Sequence, residues 1–143
     1  MSKNLTLPLL LLALVVNSLT FSPRLYTAWA PVIVIAGACL SVAVLVYIAL
    51  RWKTLAQTTT EKLLYGGNFL LIKASLLLFW FFTLRLLYRF HHDPSLQNND
   101  LASLEWLLPA LAYLAHIASL LIASLTIGFT LGYKTLANKR KDK

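Results

Sequence analysis

Twenty-one consecutive residues, Ala30 to Leu50, carry no charged side chain, and that run decides which solvent the chain folds in. About 20 apolar residues at helical rise match the roughly 30 Å hydrocarbon core of a bilayer, and a helix satisfies every backbone group of such a segment internally. The same character runs through most of the chain. Hydrophobic residues make up 59% of it and charged residues 13%, against about 25% charged residues in soluble domains. Four short-looped spans consume nearly all of the 143 residues, with no stretch left for a soluble unit of about 50 residues. The expected fold class is therefore an all-α integral membrane protein, a single domain of four transmembrane helices in two antiparallel hairpins.

The helices are expected at about 5–21, 30–50, 63–88 and 104–133, followed by a basic tail, 134–143. The first run is short, about 25 Å at helical rise, and contains Pro8 and Asn17. Lys3, the run Leu5 to Val16 and the triplet Val16-Asn17-Ser18 would also suit a signal peptide removed near residue 18; an uncleaved first helix is the favoured alternative. The second span opens with Pro31 in its first turn and closes at Arg51-Trp52-Lys53, with Thr54 to Lys62 as a polar linker. The third is interrupted by Lys73 and Arg85. A turn-rich segment, His91 to Asp100, follows, with Asp100 able to cap the fourth helix and Pro109 expected to kink it near its start.

Lys and Arg divide unequally between the two sides of this arrangement. Lys3, Arg51, Lys53, Lys62, Lys134, Lys139, Arg140, Lys141 and Lys143 fall on one side and Arg24, Arg85 and Arg89 on the other, with Lys73 inside the membrane. The positive-inside rule then puts both termini in the cytoplasm, of a bacterial inner membrane. It also accounts for the net charge of +8 and the pI near 9.9 without invoking nucleic acid as a partner. Trp29 and Trp106 are expected at the outer interface, Trp52 and Tyr133 at the inner one. The single cysteine, Cys39, allows no internal disulfide and reads as small core filler.

Polar residues within the spans are the candidates for function. A cation in hydrocarbon is costly, so Lys73 marks either a buried partner or a side chain that snorkels along its stem, and snorkelling is favoured because Lys73 and Arg85 can reach opposite interfaces. His116 lies about 15 Å past Trp106. Steps of four and three from Ala112 give His116, Ser119, Ala123, Thr126 and Thr130, a small and polar stripe suited to packing against another helix. The other face of that helix carries Ser124, Gly128 and Gly132, the last two a GxxxG pair, and the second span offers a smaller notch at Gly37 and Ser41. Arg85, Arg89 and His92 share one face near the outer side, where they could hold an anionic lipid headgroup or an acidic partner.

Chemistry is harder to find. No phosphate loop or nucleophile elbow occurs, and the five acids, Glu61, Asp93, Asp100, Glu105 and Asp142, all lie outside the spans. No enzyme, cofactor or metal site is expected. His91 and His92 sit far in depth from His116, so a bis-histidine haem would need a second subunit. The leading expectation is an accessory or assembly subunit of a larger membrane complex, with other subunits or its own copies as partners. The alternative is an oligomeric channel or small transporter lined by the His116 stripe, with Lys73 attracting an anion; a haem or quinone redox protein comes third.

Overall fold

A computed structural model describes residues 4–95 and 105–142, except for the side chains of residues 23 and 25–29. All regular structure among the described residues is helical. Helix α1 spans Thr6–Ser18 and ends in a 3-10 turn, Leu19–Phe21; α2 spans Pro23–Leu50, α3 Trp52–Leu55, α4 Thr59–His92 and α5 Leu107–Lys141. The Ala30–Leu50 part of α2, all of α4 and all of α5 are long and apolar enough to cross a membrane, whereas Thr6–Phe21 is a shorter apolar segment.

Helix α2 at its start, α4 at both ends and α5 at its end run past their expected bounds, whereas α1 stays within its own. Helix α2 begins at Pro23, whose missing donor costs nothing in a first turn, and it carries Pro31 through its interior. The linker before α4 ends in a threonine N-cap with the Thr-x-x-Glu spacing. Thr58 accepts a hydrogen bond from the Glu61 amide at 3.1 Å, and its own hydroxyl donates to the Glu61 carboxylate, so the helix starts at Thr59. The expected basic tail is helical as far as Lys141. Pro109 lies in the first turn of α5, where it removes no helical bond and has no reason to kink the helix. The proposed cap Asp100, Lys3 and Lys143 lie outside the described residues, as does the Trp29 side chain.

Helix pairing follows directly from hydrogen bonds that cross the bundle. The Leu5 amide donates to the Tyr47 hydroxyl and Asn17 reaches Gly37, so α1 and α2 run antiparallel. Asn68 with Thr126, Ser75 with His116 and Arg89 with Glu105 set α4 and α5 antiparallel in the same way. The α4–α5 interface is the most extensive; α1 also packs on α5 and α2 on α4, which closes a ring of four. Each helix turns one stripe inward. On α2 it is Ile33, Gly37, Ser41, Val44 and Ile48, steps of four and three that bring one face round at helical pitch. Leu10, Ala13, Val44, Ile72, Leu120 and Ile127 form the centre of the core.

The outside of the bundle is as apolar as the inside. Val15, Ile35, Leu70, Leu77, Phe81 and Phe129 are all exposed, an apolar surface far more continuous than soluble monomers tolerate and the expected one for helices in lipid. Cys39 belongs to that outer surface rather than the core, because it falls two residues past Gly37 and so off the inward stripe of α2. Lys73 is also on the outside, one residue beyond fully buried Ile72.

Candidate functional site

The most concentrated polar chemistry is a buried chain of side chains that crosses α1, α2, α4 and α5. His116 of α5 is at its centre and is 1% exposed. Its Nε2 lies 2.8 Å from the Ser41 hydroxyl of α2, and its Nδ1 lies 3.1 Å from the Ser75 hydroxyl of α4. One imidazole therefore joins three helices. Each serine is also placed to donate to its own helix, Ser41 to the Gly37 carbonyl at 2.9 Å and Ser75 to the Ile72 carbonyl at 3.0 Å.

Hydrogen counting makes this arrangement frustrated in a specific way. Two hydroxyls and a neutral imidazole supply three hydrogens for four contacts. One serine must turn from its backbone carbonyl to the ring. Gly37 is the carbonyl better able to release its serine, because the Asn17 amide also reaches it, at 3.4 Å. The favoured arrangement has Ser41 donating to Nε2 and the Nδ1 hydrogen donated to Ser75.

Asn17 continues the chain into α1. Its amide donates to the Ala13 carbonyl at 2.7 Å, and its side-chain oxygen and backbone carbonyl both lie 3.0 Å from the Tyr113 hydroxyl of α5. Gly37 is what lets Asn17 fit. A Cβ at residue 37 would stand 2.9 Å from Asn17 Cγ and closer still to its Oδ1. The Tyr113 ring in turn packs on Phe79 of α4, with centroids 4.9 Å apart.

A second crossing, nearer the Lys134 end, is simpler. Asn68 of α4 donates to Thr126 of α5 at 3.0 Å and to the Leu64 carbonyl. Ser119, Ser124, Thr126 and Thr130 each donate to the carbonyl four residues back, so their hydroxyl hydrogens are committed within α5. The expected stripe is buried from Ala112 to Ala123 and then rotates outward, leaving Thr126 exposed and Thr130 half-buried.

The remaining candidates are dispersed. A Cβ on Gly128 would meet only the Leu7 side chain, at 3.7 Å, and a Cβ on Gly132 would meet nothing within 4 Å. Among the described residues the GxxxG pair is thus not a close helix approach; with Ser124, Phe129, Tyr133 and Leu136 it lines a groove on the outside of α5. Arg89 Nη1 donates to both Glu105 carboxylate oxygens, at 2.7 Å each, so it is committed to a carboxylate within the chain. Arg85 is exposed, and His92 stacks on Tyr88 with its Nδ1 near the Tyr88 carbonyl. Among the described residues, no three His, Cys, Asp or Glu side chains gather as metal ligands would.

Asn17, Tyr113 and Ser75 of the network, and Asn68 of the second crossing, are residues that sequence inspection does not single out. A signal was present for two of them: Asn68, Ile72, Ser75 and Phe79 repeat at four, three and four, the buried face of α4. Asn17 is obscured because it also completes a cleavage-like triplet. No protein family, curated protein sequence or solved structure matches the chain.

Proposed function

We propose that the protein is a multi-pass accessory or assembly subunit of a larger complex in the bacterial inner membrane, acting through helix packing and carrying no reaction of its own. One observation carries this reading. The buried polar chain from Asn17 through Ser41 and His116 to Ser75 is hydrogen-bonded within the bundle, whereas exposed Gly132 and half-buried Gly128 of α5, beside buried Ser124, line an apolar groove on its outer face. Small residues at a lipid-facing surface let another helix backbone approach closely, and dispersion contacts drive helix association where lipid offers no hydrophobic gain. A conduit along the His116 stripe is less well supported, because both ring nitrogens contact serines and Lys73 points outward.

Charge distribution supports the accompanying topology. Arg51, Lys53, Lys62, Lys134, Lys139, Arg140 and Lys141 gather toward one end of the bundle and Arg24, Arg85 and Arg89 toward the other, so both termini are assigned to the cytoplasm. The test is purification in mild detergent of the wild-type chain and of Gly132→Leu. The wild type should bring down a stoichiometric membrane partner, and Gly132→Leu should lose it with an unchanged melting curve. A lone monomer from both preparations would refute the proposal.

A further inference from the structure

Lys73 is a cation with nothing beside it to offset its charge. It is exposed on the outside of α4 and, among the described residues, makes no hydrogen bond or ion pair. Leu70, Leu77 and Leu84 share its side of the helix at steps of three, four and seven, and they are exposed as well. The ammonium therefore stands on an otherwise apolar face.

Two separate registers give its depth. On α4 itself, Lys73 is eleven residues from Lys62 and twelve from Arg85, the nearest charged residues in each direction, or about 16 and 18 Å along the axis. Across the bundle, Ser75 shares the His116 ring with Ser41, which is one residue from the middle of the charge-free run Ala30–Leu50, and Lys73 is two residues from Ser75. With the bundle across a bilayer as proposed above, Lys73 lies within about 5 Å of the middle of a roughly 30 Å hydrocarbon core. The nearer boundary is the level of Trp52, whose ring a Cβ on Gly66 would meet at 3.2 Å. Gly66 is seven residues before Lys73, about 10 Å along α4. The Lys73 stem leans toward that end of the helix but extends only about 6 Å. Snorkelling leaves the charge inside the apolar layer, where a cation is costly and is normally paired.

We propose that this face of α4 seats a transmembrane helix of another protein that carries an Asp or Glu at the depth of Lys73, with the ammonium donating to the carboxylate. Complementary charge selects this occupant. A second copy of the chain would bring another Lys73 and no acid at that depth, because Glu61, Asp93, Asp100, Glu105 and Asp142 lie near or beyond the helix ends. A lipid phosphate would have to sink into hydrocarbon to reach the ammonium. The docking face rests on the reading of the chain as a subunit of a larger complex and is independent of the α5 groove.

The probe is a labelled, leucine-based transmembrane peptide with a single Asp at its centre, mixed with the full chain in phosphatidylcholine vesicles and followed by energy transfer from the tryptophans. Wild type should bind it at least fivefold more tightly than the same peptide with Asn. Lys73→Arg should keep that preference, Lys73→Leu should lose it, and moving the Asp seven residues from the centre should remove it for wild type. The Asp–Asn comparison needs no variant, so it is decisive whatever Lys73→Leu does to folding. Equal binding of the two peptides by wild type, or a preference that survives Lys73→Leu, would overturn the proposal. So would loss of the preference in phosphatidylglycerol vesicles, which would mean that a headgroup reaches Lys73, or Lys73-dependent dimerisation without peptide, which would assign the face to a second copy. A stoichiometric partner that co-purifies equally with wild type and Lys73→Leu would remove this docking face and leave the accessory role standing.

Discussion

Ser41→Ala and Ser75→Ala, made singly and together, should destabilise the bundle by more in combination than their separate effects add up to. Hydrogen bonds between membrane helices contribute about 0.6 kcal/mol on average and at most about 1.7. Each single substitution removes one such bond. The imidazole can then change tautomer, so that its one N–H donates to the remaining serine and only a ring lone pair goes unpaired. With both serines gone, that N–H has no acceptor in a site 1% exposed, and an unsatisfied buried donor costs about 1–3 kcal/mol. The single variants should therefore lose about 0.6 kcal/mol each, and the double variant about 2–4 kcal/mol. Equilibrium unfolding in mixed micelles, followed through the four tryptophans, would measure the cycle. Additivity within about 0.5 kcal/mol, the behaviour of independent sites, would refute the shared-imidazole argument.

Gly37→Ala should cost about 1–3 kcal/mol by overpacking against Asn17, and adding Asn17→Ala should recover part of the loss in the same titration. Lys73→Leu should leave stability within about 0.5 kcal/mol, since the side chain is exposed on the outside of the bundle; a loss several times larger would reveal a buried partner. Reporter fusions at the two termini should both report cytoplasm, and a periplasmic signal from either would invalidate the charge-based orientation.

The positions of the long helices were legible because lipid demands long apolar runs, and Ala30–Leu50 meets that demand without ambiguity. Their ends were less so. Hydropathy falls off where headgroups begin, but an N-cap such as Thr58 with Glu61 continues a helix into polar sequence, and the basic residues after Tyr133 are compatible with one. The helical faces were only half legible for a related reason. When both the core and the surroundings are apolar, periodicity cannot say which side of a span is inside, so Cys39 looked as internal as Ile33. Polar residues supplied the missing phase on α5, where Ala112, His116 and Ser119 share a face. On α4, Lys73 drew attention away from Asn68 and Ser75, which carry that information. Pairing between helices was not legible, because it depends on matches such as Asn17 with Gly37 that no single-helix pattern contains.

Helix α5 continues well past the point where Lys134 meets Glu61 at 3.1 Å. Lys139, Arg140 and Lys141 ride on the same continuous helix, up to about 10 Å farther along the axis. They form a stiff post rather than a loose tether, so their distance from the Lys134–Glu61 contact is set by the rise of the helix instead of by diffusion of a coil. An acidic surface that docks there would meet cations already fixed on a helix, fanned about 100° apart around its axis, and would be spared most of the ordering entropy that a floppy basic extension must surrender on contact.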